Sequence, residues 1–368
     1  MITMKNLLLN IYTTAKIPHA GGMSTHIQGI VSQLISQNID YRLYASPGKL
    51  YVKSGGAKSH NPLVYFSYSI LKIIKCFLFY GKAEGRFNIY HDWFAIIGTR
   101  KSRNSRNILY VHGELVNELL ALGTLRKSSL WLKVFRWIES LALRKADIII
   151  CVDDRLQKYV ANEHKITAIS KPNFVTPPSI VRLPVAPVDS INIVISRRFV
   201  EKNGIYFGLK AITLLKDMIG AEYKIRVDIF GSGQLYGSLS NEFKNDYMFF
   251  HGDVSSETVR DYLRRSHFCL VPSVPVDDYV EATSISALEA LAEGSLLIAS
   301  EIGGLKQLFS GNNTAALVQP GNSWEITRVM EYCIRNPDYY MTIARNGQNF
   351  ILSQHSSASY LNNFLLNI

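Results

Sequence analysis

Two carboxylates, Glu281 and Glu289, lie eight residues apart around a predicted helix start. Thr283 and Ser284 favour the N-cap position, so we expect Glu281 in the loop before the helix and Glu289 about two turns inside it. The N–H groups of the first turn, from Thr283 to Ile285, have no intrahelical partner and attract a diphosphate together with the helix dipole. The segment therefore predicts an anion-binding site flanked by two acids.

A second charged group follows the predicted strand at residues 191–196. Arg197 and Lys202 stand in a basic loop that ends at Gly204, where a phosphate at the end of a strand needs cations. Their role would be to stabilise negative charge on a departing nucleotide diphosphate. A solvated basic loop explains the same residues, and both interpretations stay open at this point.

Four further residues follow predicted strands, where open α/β sheets bind ligands: Gly22, His112, Gly231 and Ser273. Gly231 lies in a turn that lets a ligand approach the backbone closely, and Gly22 lies between the first strand and an amphipathic helix. His112 follows an apolar strand and is expected to face the ligand. Structural turns explain the glycines as well, and a structural role is the alternative for the histidine.

The order of these motifs resembles that of retaining GT-B glycosyltransferases with an E-x7-E motif, of the family 4-like type that builds bacterial polysaccharide and lipopolysaccharide. The resemblance implies that Glu281 contacts the donor sugar and that Glu289 binds the ribose hydroxyls. Arg197 and Lys202 resemble the Arg-x4-Lys pair of the family, and His112 resembles the histidine that points toward the transferred sugar. The predicted catalytic residues are thus His112, Arg197, Lys202 and Glu281.

The same resemblance implies the remaining donor contacts and the reaction. Donor binding is assigned to Gly22, Gly231, Ser273, Thr283, Ser284, Ile285 and Glu289. The implied reaction moves a hexose from a UDP- or GDP-sugar to a glycan or lipid-linked saccharide with retention of configuration, and it needs no metal or other cofactor. Two positions depart from the family pattern: Ala282 replaces a common Gly, and Phe174 replaces the Gly of an interdomain Pro-Asn-Gly segment.

Apolar strand-like runs alternate with amphipathic stretches of helical length along the whole chain, which is typical of α/β folds. The predicted strands are residues 6–12, 41–45, 88–90, 107–111 and 147–152 in the first half, and 191–196, 224–230, 248–251, 268–272, 296–300 and 315–318 in the second. Together with the resemblance, this pattern predicts the GT-B architecture, in which two Rossmann-like α/β domains face each other across a deep cleft.

Four prolines between residues 176 and 190 disfavour a helix or a central strand there. We therefore predict a linker at 176–190. It would join an N-terminal acceptor-binding domain at 1–175 to a C-terminal nucleotide-sugar-binding domain at 191–349. A C-terminal helix at about 350–368 is expected to pack back on the N-terminal domain.

Positive charge is concentrated in the first half: residues 1–180 hold 24 Lys and Arg against 10 Asp and Glu, whereas 181–368 hold 16 against 19. Such asymmetry indicates an anionic partner, either nucleic acid or a membrane surface. Residues 64–80 and 130–145 combine Lys and Arg with aromatic residues, as membrane-interface helices do, although core helices with solvent-reaching lysines have the same composition. Because no nucleic-acid-binding motif accompanies the charge, we predict peripheral contact with an anionic membrane and no nucleic acid partner.

The N-terminal apolar run is too short for a signal peptide, and the four cysteines lie far apart, which predicts a cytoplasmic protein. His91-Asp92 and Asp277-Asp278 resemble metal-binding pairs but lack further ligands at the usual spacing, so no metal is predicted. Two other functions stay open: a GT-B sugar-nucleotide epimerase, and a basic scaffold that binds nucleic acid or membrane without catalysis.

Overall fold

A computed structural model describes residues 9–15, 22–45, 62–80, 82–83, 86–101, 104–121, 124–126, 128–276 and 280–367. The chain divides into two compact units, Met1–Pro172 and Asn173–Ile368. Each unit is built on its own six-stranded sheet, and neighbouring strands in both sheets run parallel. The predicted α/β class with two Rossmann-like domains is thereby confirmed.

The first unit contains eight strands and six helices among its described residues. The strands are β1 (Leu9–Thr13), β2 (Tyr41–Ala45), β3 (Lys82–Ala83), β4 (Phe87–Tyr90), β5 (Arg100–Lys101), β6 (Arg106–Val111), β7 (Ile148–Cys151) and β8 (Ile169–Ser170). The helices are α1 (Gly22–Ser36), α2 (Pro62–Tyr80), α3 (Trp93–Gly98), α4 (Leu115–Ala121), α5 (Leu130–Lys145) and α6 (Asp154–His164). The main sheet has the order β2-β1-β4-β6-β7-β8, and β3 pairs with β5.

The apolar runs that predicted β1, β4, β6 and β7 form the buried middle of the sheet, as is typical of parallel strands. A buried row of amides crosses the three central strands. The Nδ2 of Asn10 donates to Oδ1 of Asn88 at 3.0 Å, and the Nδ2 of Asn88 donates to Oδ1 of Asn107 at 3.2 Å. These bonds offset the cost of burying polar side chains and favour this register, since a slip of one residue would turn the amides to the other face.

The second unit has a regular doubly wound sheet. Its strands are β9 (Ser190–Ser196), β10 (Lys224–Phe230), β11 (Met248–Gly252), β12 (Phe268–Val271), β13 (Leu296–Ser300) and β14 (Ala316–Val318). Its helices are α7 (Ile205–Ile219), α8 (Tyr236–Glu242), α9 (Ser256–Leu263), α10 (Ile285–Ala292), α11 (Gly303–Phe309), α12 (Ser323–Arg335), α13 (Pro337–Gln354) and α14 (Ser357–Asn363). The order β11-β10-β9-β12-β13-β14 reverses direction between β9 and β12. Ligands bind at such a reversal in sheets of this kind.

Two predicted segments lie inside the second unit. Residues 176–190 are fastened to α13, where the Nε2 of Gln348 donates to the carbonyl oxygen of Arg182 at 2.8 Å. The C-terminal helix α14 meets the start of the unit, since the rings of Phe174 and Tyr360 lie 4.4 Å apart. The predicted domain limits, and the packing of the C-terminal helix on the first unit, stay predictions.

Candidate functional site

Arg197 is the centre of a polar cluster at the carboxyl end of β9, where the strand order of the second sheet reverses. Its Nη1 donates to Oγ of Ser284 at 2.7 Å. Its Nη2 donates to Oδ1 of Asn203 at 2.8 Å and to Oγ of Ser273 at 3.0 Å. The same nitrogen lies 2.9 Å from Oε2 of Glu281. These five residues, called the Arg197 cluster below, join the ends of β9 and β12 to the start of α10.

The charged pair of the cluster is largely buried, since the side chains of Arg197 and Glu281 are only 8% and 13% exposed. An ion pair at this depth holds its geometry, because separating the two charges leaves each of them poorly solvated. Two predicted catalytic residues therefore contact each other directly. Asn203, which no sequence motif singled out, adds a second support, since its Nδ2 donates to the carbonyl oxygen of Arg198 at 2.7 Å.

Two glycines allow the backbone to close around this cluster. Gly231 has φ +119°, and a Cβ on it would lie 2.2 Å from the carbonyl oxygen of Arg197. Gly303 has φ +48°, and a Cβ there would lie 2.0 Å from the carbonyl oxygen of Glu281. Side chains are excluded at both positions. The sequence predicted that a ligand approaches the backbone at Gly231. In the structure it is the backbone of Arg197 that approaches so closely that only glycine fits there.

The helix start predicted at Ser284 is the N-cap of α10, with Glu281 in the preceding loop and Glu289 in the helix. The Ser284 hydroxyl accepts from Arg197 and makes no capping bond to the first turn. The carbonyl oxygen of Thr283 accepts from Nδ2 of Asn173 at 3.2 Å, which ties the loop to the start of the second unit. Ile285 is the first residue of the helix.

Glu289 is buried on α10. Burial raises the pKa of its carboxyl to about 7, with Glu293 raising it further and Arg260 opposing the change. Glu293 is paired with two arginines: Oε1 lies 2.6 Å from Nε of Arg260, and Oε2 lies 3.0 Å from Nε of Arg264. Glu289 therefore exchanges a proton near neutral pH.

Lys202 lies in the 3-10 turn Glu201–Asn203, directly before α7. Its carbonyl oxygen accepts from the N–H of Val274 at 2.9 Å, so the turn is attached to the chain that follows β12. The predicted cations Arg197 and Lys202 thus lie on segments that meet at the carboxyl ends of β9 and β12.

The predicted residues of the first unit are His112, which follows β6, and Gly22, the first residue of α1. Residues 16–21 of the glycine-rich loop lie outside the described residues. His112 belongs to a group of aromatic rings, since its Nε2 is 3.1 Å from Nδ1 of His91 and its ring centroid is 5.1 Å from that of His26. Burial lowers the pKa of His112 to about 4 and that of His91 well below its ordinary value, so both imidazoles are neutral at pH 7.

The pair His91-Asp92 has a structural explanation. Oδ1 of Asp92 accepts from the N–H groups of Phe94 and Ala95 at 3.1 and 2.9 Å, which caps α3. Its Oδ2 accepts from the N–H of Thr14 at 2.6 Å. Asp277 and Asp278 lie outside the described residues. Within the described ranges, no three His, Cys, Asp or Glu side chains form a group that could hold a metal ion.

Comparisons with known proteins agree on one kind of enzyme. Residues 190–336 match the model of a family described as Glycosyl transferases group 1. An uncharacterised glycosyltransferase of Methanocaldococcus jannaschii is 23% identical over 373 residues, which cover 95% of this chain and 94% of that protein. Sucrose-phosphate synthase from Thermosynechococcus elongatus has a TM-score of 0.73 at 16% identity, and the match covers 98% of both chains. The chain has the GT-B fold, and the family match and the curated relative support a glycosyltransferase function.

Anabaena HepE in complex with UDP and glucose is a further structural neighbour of this chain, with a TM-score of 0.61 at 14% identity over 99% of this chain and 98% of HepE. The family match lies wholly inside the second unit and includes every member of the Arg197 cluster. The part of the enzyme with the most specific sequence motifs is therefore also the part with the family match.

Proposed function

We propose that this GT-B glycosyltransferase is a retaining, metal-independent hexosyltransferase whose second unit binds a UDP- or GDP-sugar. The observation that carries the proposal is the Arg197 cluster at the strand-order reversal, beside a helix start that the Ser284 side chain leaves uncapped. A preorganised cation and an uncapped helix N-terminus suit a diphosphate. A glycan or lipid-linked saccharide in cell-surface polysaccharide synthesis is the proposed acceptor.

In the proposed mechanism, Glu289 accepts hydrogen bonds from the ribose, and Arg197, Lys202 and the first turn of α10 bind the diphosphate. Glu281 contacts the sugar with the carboxylate that Arg197 orients. The bond from the anomeric carbon to the diphosphate oxygen breaks as the acceptor oxygen attacks from the same face, and that diphosphate oxygen takes the acceptor proton. The cations stabilise the charge on the leaving group, which is the electrostatic form of catalysis.

Two observations support parts of this proposal. Anabaena HepE, which shares the fold, has been solved with UDP-glucose, and that neighbour favours a UDP-sugar as the first donor to test. The buried Arg197–Glu281 pair supports the proposed role of Glu281, because it fixes the orientation of the carboxylate that is proposed to contact the sugar.

The proposed role of Glu289 predicts a pH dependence of donor binding. The carboxyl has a pKa of about 7, so it is mostly protonated at pH 6 and mostly ionised at pH 8. If only the ionised carboxylate accepts hydrogen bonds from both ribose hydroxyls, the affinity for UDP-glucose should fall about tenfold from pH 8 to pH 6. Calorimetric titration at the two pH values measures this change.

The matched control for this titration is Glu289→Gln, which cannot ionise and should bind weakly and equally at both pH values. A wild-type affinity that does not change with pH, or a Glu289→Gln variant with the wild-type pH profile, would remove Glu289 from the donor site.

We also propose that the enzyme is cytoplasmic and makes peripheral contact with the anionic inner face of the plasma membrane. None of the described helices is long and apolar enough to cross a membrane. Helix α2 exposes an apolar stripe at helical spacing, made of Leu63, Ile70, Leu71, Ile74, Phe77 and Leu78. On α5 of the same unit Trp137 is 62% exposed and has exposed basic neighbours, Lys133 and Arg136.

Charge complementarity selects an anionic bilayer as the partner for this surface, because the first half of the chain carries the excess of Lys and Arg. Leu78→Glu is expected to weaken binding to phosphatidylglycerol-containing vesicles roughly tenfold or more, since burying a leucine side chain contributes about 1.5–3 kcal/mol. Co-sedimentation measures the effect. The control is Leu183→Glu, which changes an equally exposed leucine (69% for both) in the second unit. Wild-type binding that ignores lipid charge would contradict the proposal.

A further inference from the structure

Three histidines and a tyrosine form a compact group of rings in the first unit, beside the carboxyl ends of β4 and β6. His91 stacks on Tyr110 at 5.0 Å and on His112 at 5.4 Å between centroids. His26, from α1, meets His91, Tyr110 and His112 edge-on at 5.4, 5.0 and 5.1 Å. The rings of His91 and His112 thus have aromatic neighbours on several sides, and they share a polar contact with each other.

That contact joins Nδ1 of His91 to Nε2 of His112 at 3.1 Å. Both rings are neutral, so each carries one N–H, and one of the two nitrogens in contact must donate to the other. If His112 donates, the proton of His91 lies on its Nε2, which is buried and has no hydrogen-bond partner among the described residues. If His91 donates, that Nε2 carries only a lone pair. A buried N–H without a partner is rarer in proteins than an acceptor without one, so the second arrangement is favoured.

We infer that His91 is a positioning residue that fixes His112 in the tautomer with the proton on Nδ1. Because Nε2 of His112 is occupied by His91, Nδ1 is the nitrogen left to meet a ligand. His112 then donates a hydrogen bond to a hydroxyl oxygen of the transferred sugar and does not act as a general base. This inference rests on the proposed function, and it adds the proposal that His112 meets the transferred sugar, as the family resemblance implies.

A neutral donor suits this task physically. A hydrogen bond from an imidazole N–H is aimed at one hydroxyl oxygen, and its direction is set by the ring plane that Tyr110 and His91 hold. Without His91, the ring of His112 can exchange tautomers. The molecules in which Nδ1 of His112 carries no proton would then present a lone pair where a hydrogen-bond donor to the sugar is needed.

The direct test is the tautomer itself. Long-range proton–nitrogen correlation spectra of the full-length enzyme labelled with 15N-histidine report which ring nitrogen carries the proton, and a His112→Gln sample assigns the signal. We expect a protonated Nδ1 and a bare Nε2 for His112. A proton on Nε2, or a mixture of tautomers, would overturn the inference without touching the proposed donor site.

Two variants then test whether His91 sets the tautomer of His112 or only packs against it. His91→Asn can present an amide N–H near the position of Nδ1, and it should keep the His112 tautomer and kcat/KM within about threefold of wild type. His91→Phe keeps an aromatic ring but has no donor; it should move the proton of His112 toward Nε2 and lower kcat/KM roughly 10- to 100-fold. Equal activity of His91→Phe and wild type would overturn the positioning role. Wild-type activity of His112→Gln would instead overturn the proposed contact between His112 and the sugar and would leave the proposed donor site of the second unit untouched.

Discussion

Replacing Arg197 by methionine is expected to lower kcat/KM roughly 10³-fold and the free energy of unfolding by about 3 kcal/mol. The loss of activity follows from removing a preorganised cation beside the leaving diphosphate. The loss of stability follows because the substitution leaves Glu281 charged, 13% exposed and without its partner at 2.9 Å. Steady-state kinetics and urea unfolding of the full-length enzyme measure the two effects separately.

The double variant Arg197→Met/Glu281→Gln separates the structural role from the catalytic one. It should recover most of the lost stability, because no buried charge is left unpaired, and none of the activity. Arg265→Met is the matched control. It removes an exposed arginine just before β12, at the amino-terminal ends of the strands and so on the side of the sheet away from the cluster. A double variant no more stable than Arg197→Met would contradict the importance of the ion pair.

Replacing Lys202 by methionine is expected to lower kcat roughly 10²-fold while changing the free energy of unfolding by about 1 kcal/mol or less. The turn is attached to Val274 through the backbone carbonyl oxygen of Lys202, which the substitution retains. A charge that acts on the leaving group should reduce kcat more than donor affinity. Lys244→Met, which changes an exposed lysine before β11, is the control. A Lys202→Met enzyme with wild-type kcat would remove this residue from the mechanism.

Much of the fold could be predicted from the sequence because parallel strands covered by helices are continuous apolar runs. The predicted ranges 41–45, 224–230 and 296–300 coincide with β2, β10 and β13. The helix start at Ser284 was predictable because serine is a preferred N-cap residue. The short strand β8 was missed, since two residues at a sheet edge carry no periodic signal.

The contacts within the site could be predicted less well, because they depend on which strands become neighbours. Glu281 was assigned to the donor sugar and Arg197 to the diphosphate, and nothing in their spacing indicates that they form a 2.9 Å ion pair. His91 was considered only as half of a metal pair. Its contact with His112 exists because β4 and β6 are adjacent, which only the sheet order reveals.

Slow hydrolysis of the donor, followed by proton NMR, tests whether the second unit holds a nucleotide donor for retaining sugar transfer. Wild-type enzyme, Lys202→Met and Lys244→Met would each be incubated with UDP-glucose and with GDP-mannose, both α-linked donors, in the absence of acceptor. We expect wild type and Lys244→Met to release the nucleotide from one donor, with the α-sugar appearing first, and Lys202→Met to do so far more slowly. First appearance of the β-sugar would contradict retention, an epimerised donor would identify an epimerase, and a Lys202→Met enzyme as fast as wild type would contradict the proposed donor site.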